Sequence, residues 1–209
     1  MHSILEILSE DPASAGPDLI GLDDLKLALG ITDTSQDATL SAMITFQSRI
    51  IAEYCDRRFG RAEALETFTF DPGETMRVRQ ALTLSLYPVD EITELSSTGG
   101  VGDEHHLDPA SGRVWLANWA TLPWPGSITV SYFGGYDLPE QSPARLQKAV
   151  IEAVREGLTS GTRDPSIREV AHGDTRIAYF TSSTSSASSG YLSAPVIDLI
   201  RPYRRLFVS

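Results

Sequence analysis

The chain has 209 residues, of which 41% are hydrophobic, and its formal net charge is -11. This length and apolar content suffice for a packed core and exclude a wholly disordered chain. The acidic balance argues against a protein that wraps DNA through phosphate contacts, because such binding needs clustered Lys and Arg. No run of about 18 apolar residues would span a membrane. The N-terminus does not resemble a signal peptide, so we expect a soluble cytoplasmic protein.

The first helix is predicted over about residues 23–29. Residues 1–18 before it mix Ser, Asp, Pro and Gly without a sustained period, so we expect an N-terminal arm there and ordered structure from about Leu19. Asp23 is a candidate N-cap of the helix, and Gly30 is suited to end it.

A longer amphipathic helix is predicted over about residues 36–57. Its start can be capped by Ser35 or Asp37, and Gly60 is suited to a left-handed exit after its end. The prediction depends on apolar residues spaced by three, four and seven, which form one helical face. These residues are Leu40, Met43, Ile44, Ile50, Ile51 and Tyr54.

Residues 64–133 change to a β pattern. Stretches 66–70, 82–86 and 127–132 alternate in the manner of strands, and turn residues separate them. A hairpin is predicted over about residues 106–116, around the turn Asp108-Pro109-Ala110-Ser111-Gly112. Because no crossover helix separates these strands, the segment is predicted to be an antiparallel insertion.

A third helix is predicted over about residues 143–160, with Pro143 at the favoured first position. Two short strands are expected between Ile167 and Phe180, followed by a flexible Ser-rich linker over 181–190. A last short helix, about 195–201, ends before Pro202, because the residue before a proline is steered out of the helical region.

The predicted fold class is therefore α+β: a small bundle of amphipathic helices with an antiparallel β insertion and a flexible C-terminal peptide. The predicted divisions are an arm at 1–18, a helical core of 19–63 and 134–180, the β insertion at 64–133, the linker at 181–190 and a terminal peptide at 191–209.

No catalytic, metal or cofactor site is predicted. Adjacent histidines such as His105 and His106 point to opposite faces of a strand and seldom share a metal. Cys55 lacks the positively polarised surroundings that activate a thiol, so a packing role is favoured. The glycine-rich stretch 98–102 lacks the lysine of a phosphate-binding loop. The acids of the loops, which are Asp71, Glu74, Asp103 and Glu104, are interpreted as solvated charges.

Trp115, Trp119 and Trp124 fall close together with few basic residues nearby. Stacking on nucleic acid is therefore disfavoured. An insertion core or an interface with a neighbouring protein is the preferred interpretation.

The C-terminal segment is basic and apolar in an otherwise acidic chain. Its arginines are Arg201, Arg204 and Arg205, against the single acid Asp198 between residues 195 and 209. This pattern indicates a tethered peptide that binds a partner. The alternative is a helix that packs on its own subunit, with arginines near its C-terminal dipole.

In their order along the chain, these features resemble the head–tail connector (adaptor) family of tailed phages, prophages and gene transfer agents. Leu22-Asp23-Asp24-Leu25-Lys26 and Leu29-Gly30-Ile31 are similar to the opening "LDDLKxxLGI" helix of that family. The stretch Ile51 to Phe59 is similar to its "IexycxRxF" helix end, and Leu199 to Arg205 is similar to its terminal "LLxPYRR" peptide. The resemblance covers about residues 19–206; the long arm and the Ser-rich tract depart from it.

The resemblance implies a structural, non-enzymatic virion component: a homo-oligomeric ring, commonly of about twelve subunits (a dodecamer), docked beneath the portal protein. The ring joins the DNA-filled head to the stopper or tail-terminator proteins in the neck, and double-stranded DNA passes through its lumen without specific binding. No cofactor and no membrane are implied, and assembly takes place in the host cytoplasm. The predicted portal-binding residues are Ile197, Leu199, Ile200, Tyr203, Arg204, Arg205 and Leu206.

Two alternatives stay open. One is a tail-side neck or tail-completion protein, which would form rings without binding the portal. The other is a small hydrolase that uses loop acids of the β insertion, which an activity or metal-dependence screen would reveal.

Overall fold

The computed structural model describes residues 2–10, 17–69, 81–97, 105–116, 127–161, 169–172, 175–178 and 192–205. The chain divides into two compact units, each assembled from segments distant in sequence. We call them the helical unit (Asp18–Ile51 and Pro143–Tyr203) and the β unit (Met1–Pro17, Ala52–Ser142 and Arg204–Ser209). Because helices and antiparallel sheets both occur, the predicted α+β class is confirmed.

Amphipathic helices dominate the helical unit. In chain order its elements are α1 (Leu22–Leu29), α2 (Asp37–Cys55, whose last turn from Ala52 belongs to the β unit), α3 (Ala144–Gly161), the hairpin of β8 (Glu169–His172) and β9 (Thr175–Ala178), and α4 (Ala194–Ile200). Both α1 and α4 pack against α3. None of the described helices is long and apolar enough to cross a membrane.

The two strongest helix predictions are confirmed in position and in buried face. The buried residues of α2 include Leu40, Ile44 and Ile51, and α3 buries Leu146, Ala149, Val150, Ala153 and Val154. These residues have the three–four spacing from which the helices were predicted. The two short strands expected between Ile167 and Phe180 are confirmed as the β8–β9 hairpin.

Gly30 ends α1 as predicted, in a left-handed conformation with φ 72° and with its N–H donating to the carbonyls of Leu27 and Lys26. The predicted cap at the other end is wrong. Gly21 occupies the N-cap position, and its carbonyl accepts the Leu25 N–H at 3.0 Å. Asp23 lies instead in the first turn, where a carboxylate favours the positive end of the helix dipole.

The left-handed residue after α2 is Asp56, with φ 49°, and not Gly60 as predicted. The Arg57 N–H donates back to the Ala52 carbonyl at 3.2 Å. This is the long bond of a Schellman ending, in which the residue just past the helix must be left-handed. Aspartate tolerates that conformation better than most side chains do.

The described residues of the β unit form two antiparallel sheets. A four-stranded sheet has the order β1 (His2–Glu10), β2 (Ala62–Thr69), β7 (Ser127–Gly134) and β4 (Val89–Ser97). A three-stranded sheet has the order β3 (Leu82–Thr83), β6 (Arg113–Leu116) and β5 (His105–Asp108). The predicted hairpin is confirmed as β5–β6, with Gly112 at φ 65° in its turn. One apolar core includes Phe68, Leu82, Leu84, Leu86, Val114, Ile128, Val130 and Tyr132.

The expectation that ordered structure begins near Leu19 is wrong for residues 2–10, which form strand β1. Leu5 and Ile7 pack against the core of the β unit, while Ile4 and Leu8 on the opposite face are exposed. Because both faces of β1 carry large apolar residues, the alternation that identifies a strand is hidden. Pairing with β2 is a tertiary event that the local pattern does not encode.

Two other strands differ from prediction. β4 was not predicted, because two register shifts against β7 break its alternation. The strand predicted over 82–86 is reduced to Leu82–Thr83. The residues after it leave the sheet, although Leu84 and Leu86 stay fully buried.

Candidate functional site

The C-terminal segment begins with α4, which follows the predicted helix closely. Pro195 lies in its first turn, and the hydroxyl of Ser193 donates to Glu156 on α3 at 2.8 Å. Val196 and Ile200, one turn apart, are fully buried. Ile200 therefore packs in the interior of the helical unit.

The exposed part of this segment carries most of its charge. Ile197 and Leu199 are half-buried, and Arg201 and Pro202 are exposed. Arg201 retains right-handed helical angles (φ -48°, ψ -41°) and starts a 3-10 turn over Arg201–Tyr203. The predicted exclusion of Arg201 from the helical region before Pro202 is therefore wrong, since the tight turn continues directly from α4.

Arg204 and Arg205 belong to the β unit and differ sharply in their surroundings. Arg204 is exposed, with its guanidinium 5.6 Å from the ring centroid of Tyr54. Arg205 donates its backbone N–H to the Cys55 carbonyl at 2.9 Å and its Nη2 to the Ser3 hydroxyl at 3.0 Å. The same Nη2 lies 3.6 Å from Oε1 of Glu66.

Glu66 is fully buried and is the centre of a polar network in the β unit. Its carboxylate accepts the Ser85 N–H at 2.8 Å, the Ser85 hydroxyl at 2.5 Å and the Tyr132 hydroxyl at 3.0 Å. The Tyr132 oxygen in turn accepts the Leu86 N–H at 3.1 Å. Burial, and secondly the charge of Glu66, raise the pKa of Tyr132, which therefore stays a hydrogen-bond donor.

The role of Glu66 was missed in the sequence, although a signal was present. In a strand of period two, Glu66 shares its face with Phe68. A charged residue in register with core residues predicts a buried carboxylate that needs partners.

Arg57, the arginine of the "RxF" motif, is also a buried residue, with 7% of its surface exposed. Its guanidinium lies 3.5 Å from the Tyr87 ring centroid and 4.8 Å from that of Phe59, and Nη2 donates to the Tyr87 carbonyl. Burial lowers its pKa. The motif thus joins the end of α2 to the loop before β4 by packing, cation–π contact and one hydrogen bond.

Cys55 is fully buried, and burial raises the pKa of its thiol to about 11. A thiol in this state is protonated at neutral pH and a poor nucleophile. His105 and His106 lie on β5, and the His106 ring stands 5.7 Å from that of Trp115. Among the described residues, no group of three or more His, Cys, Asp or Glu is arranged to hold a metal.

Several predicted residues lie outside the described ranges. They are Trp119, Trp124, Leu206, the glycine-rich stretch 98–102, the loop acids Asp71, Glu74, Asp103 and Glu104, and the Ser-rich tract 181–190.

Comparison with known proteins finds a family model that matches part of the chain and solved structures that share its fold. The model of the phage gp6-like head–tail connector protein family matches residues 19–83. A search of curated protein sequences finds no match.

Three solved structures share the fold over nearly the whole chain. A chain from the neck of an empty gene transfer agent (GTA) particle, computed with C6 symmetry, is 17% identical with a TM-score of 0.54. A chain from the neck of a native GTA particle, computed with C12 symmetry, is 18% identical with a TM-score of 0.50. A chain from the virion of a native GTA particle is 16% identical with a TM-score of 0.53. Each match covers 99% of this chain and 97% of the other. The resemblance to the head–tail connector family predicted from the sequence is therefore confirmed, by the family model over residues 19–83 and by the fold over nearly the whole chain.

Proposed function

We propose that this protein is a head–tail connector subunit in the neck of a tailed-phage or gene transfer agent particle. The observation that carries the proposal is the joint match of a connector family model over residues 19–83 and of a neck-protein fold over 99% of the chain. Connectors act by holding other proteins together, so no bond is made or broken. The buried, protonated thiol of Cys55 is consistent with such a non-catalytic role.

In the proposed assembly, identical subunits form a ring of about twelve copies beneath the portal. The ring joins the head to the stopper and tail-terminator proteins, and its lumen is part of the DNA channel. Neck chains of the same fold come from reconstructions with C6 and C12 symmetry, which supports a ring. The net charge of -11 would let DNA slide past without sticking, because an acidic surface repels phosphates.

The C-terminal segment is the proposed portal contact. Four of the predicted contact residues are half-buried or exposed: Ile197, Leu199, Tyr203 and Arg204. A partner can therefore contact them without rearrangement of the core. Leu206 follows them and is included in the proposal. A segment that is both apolar and basic fits an apolar groove with acidic residues at its rim.

Binding to the purified portal protein tests the proposal. Deleting all of 191–209 would also remove the buried Val196 and Ile200, so a cleaner variant deletes only Leu206–Ser209 or carries Arg204→Glu. We expect wild-type rings to decorate the portal in electron micrographs and both variants to lose that decoration. Arg145→Glu, a charge reversal at another exposed position, is the matched control and should bind normally.

Two outcomes would contradict the proposal. Rings that bind tail components but never the portal would identify a tail-side neck or completion protein. An inner ring surface dominated by Lys and Arg would refute the proposed acidic channel.

A further inference from the structure

Burial of the Glu66 carboxylate costs desolvation free energy, which hydrogen bonds from neutral groups offset only in part. Glu66 lies on β2 between the buried residues Ala64 and Phe68, and none of its surface is exposed. Ser85 and Tyr132 donate three hydrogen bonds to it, but both are neutral. A buried carboxylate is costly unless it is paired with a positive charge as well as hydrogen-bonded. Arg205 supplies that charge, 3.6 Å from Oε1.

Arg205 attaches to three elements of the β unit at once. Its backbone N–H binds the carbonyl of Cys55, the last residue of α2, and its guanidinium reaches Ser3 on β1 and Glu66 on β2. Ser3 and Glu66 come from neighbouring antiparallel strands. A residue held by its backbone and by its side chain in this way has little freedom to reach a partner protein.

Arg204 provides a direct contrast one position earlier. It carries the same functional group but is exposed, and its guanidinium forms no ion pair with any described residue. The two adjacent arginines therefore differ in their contacts: Arg205 binds groups of its own chain, whereas Arg204 is exposed on the surface.

We infer that Arg205 is a positioning residue that fixes the root of the C-terminal tail, defined as Leu206–Ser209, on the β unit. The inference rests on the proposed function, in which this segment contacts the portal. Arg205 acts through Glu66, Ser3 and the Cys55 carbonyl, whereas Arg204 touches the partner itself. Because Arg205 is already ordered in the free protein, binding of the segment does not cost the conformational entropy of ordering Arg205.

Three variants separate these roles. Arg205→Gln removes the charge but keeps the backbone N–H, and Glu66→Gln removes the opposite charge with little change of shape. Arg204→Gln is the matched control. Amide hydrogen exchange of residue 205 and of Ser3 measures how firmly Arg205 is held on the β unit. The affinity for the portal protein measures whether this attachment contributes to binding.

We expect Arg205→Gln and Glu66→Gln to accelerate exchange of the residue 205 amide about tenfold or more while exchange in α3 stays unchanged. The same variants should weaken portal binding about tenfold, as expected when one or two more residues must be ordered on binding. Arg204→Gln should weaken portal binding without altering either exchange rate. A uniform acceleration across the whole β unit would show a merely structural role.

Wild-type exchange at residue 205 in both the Arg205→Gln and Glu66→Gln variants would overturn the inference. So would identical exchange and binding profiles for Arg204→Gln and Arg205→Gln. If the wild-type protein does not bind the portal, the proposed function fails, and the tail has no such partner to be positioned for. The exchange data then still decide whether Arg205 fixes the root.

Discussion

Replacing Tyr132 by phenylalanine would remove one oxygen atom from the core of the β unit and leave the aromatic ring in place. The lost hydroxyl donates to Glu66 at 3.0 Å and accepts the Leu86 N–H at 3.1 Å. Tyr132 has no exposed surface, so water cannot replace either bond. The substitution therefore isolates the polar network from the packing around it.

The expected loss of stability has two parts. A hydrogen bond to a charged acceptor contributes about 1.5–3 kcal/mol, and a buried N–H left without an acceptor costs about 1–3 kcal/mol. Glu66 keeps both donors of Ser85 and the charge of Arg205, so values near the lower limits apply. We expect about 3 kcal/mol, which for a chain of this size lowers Tm by about 6–12 °C.

Tryptophan fluorescence during thermal unfolding measures this loss in the β unit, because all three tryptophans lie between residues 52 and 142. The control is Tyr54→Phe, whose hydroxyl forms no hydrogen bond with a described residue. It should change stability by less than about 0.5 kcal/mol. Equal Tm values for the two variants would refute the assignment of a stabilising role to the Tyr132 hydroxyl.

Three further predictions concern the same unit. Cys55 should react with a thiol reagent at neutral pH about a hundredfold more slowly than an exposed cysteine, because burial raises its pKa from 9.0 to about 11. The folded state holds this proton more tightly, so the contribution of Cys55 to stability is constant below about pH 9 and is lost towards pH 11. Urea titrations should therefore show a smaller decline between pH 9 and pH 11 for Cys55→Ala than for the wild-type protein. Arg57→Ala should lower the free energy of unfolding by about 3 kcal/mol, because it removes the cation–π contact, the packing of the side chain and the hydrogen bond to the Tyr87 carbonyl. Arg57→Met should lower it less, because the aliphatic part of the side chain is kept and no charge is buried. The opposite order of the two variants in urea titrations would contradict this account. Gly135→Ala should destabilise the protein by about 2 kcal/mol, since φ is 100° and an added Cβ would stand 2.6 Å from the Gly60 carbonyl oxygen. The control is Gly157→Ala on α3, where an added Cβ would meet no atom within 4 Å beyond its own stretch of helix backbone. In the same urea titrations this variant should be neutral or stabilising.

Elements with a strong local period were predictable from the sequence. The buried faces of α2 and α3, the β5–β6 hairpin and the left-handed Gly30 follow from spacing and turn residues, which act within a few positions. Elements stabilised by distant pairing were not predictable. β1 has apolar residues on both faces, and β4 is interrupted by two bulges, so neither displays the alternation of a half-buried strand.

In the candidate site, too, local features were predictable from the sequence and long-range contacts were not. The sequence identified a basic, apolar C-terminal segment and a family resemblance that the comparisons confirm. It treated Arg204 and Arg205 alike, because adjacent arginines have the same local character. Their different roles arise from Cys55, Ser3 and Glu66, which lie 139–202 positions away and meet Arg205 only in the folded chain.

By itself, the sequence determined which segments are amphipathic, where turns and helix ends fall, and that the chain resembles a connector of phage-like particles. These properties depend on residue type and short spacing alone. Tertiary structure decided that the first nine described residues complete a sheet, that Ile200 is a core residue, and that the charge of Glu66 is buried opposite Arg205. Burial and charge pairing depend on the neighbours that folding brings together, and no local pattern specifies those neighbours.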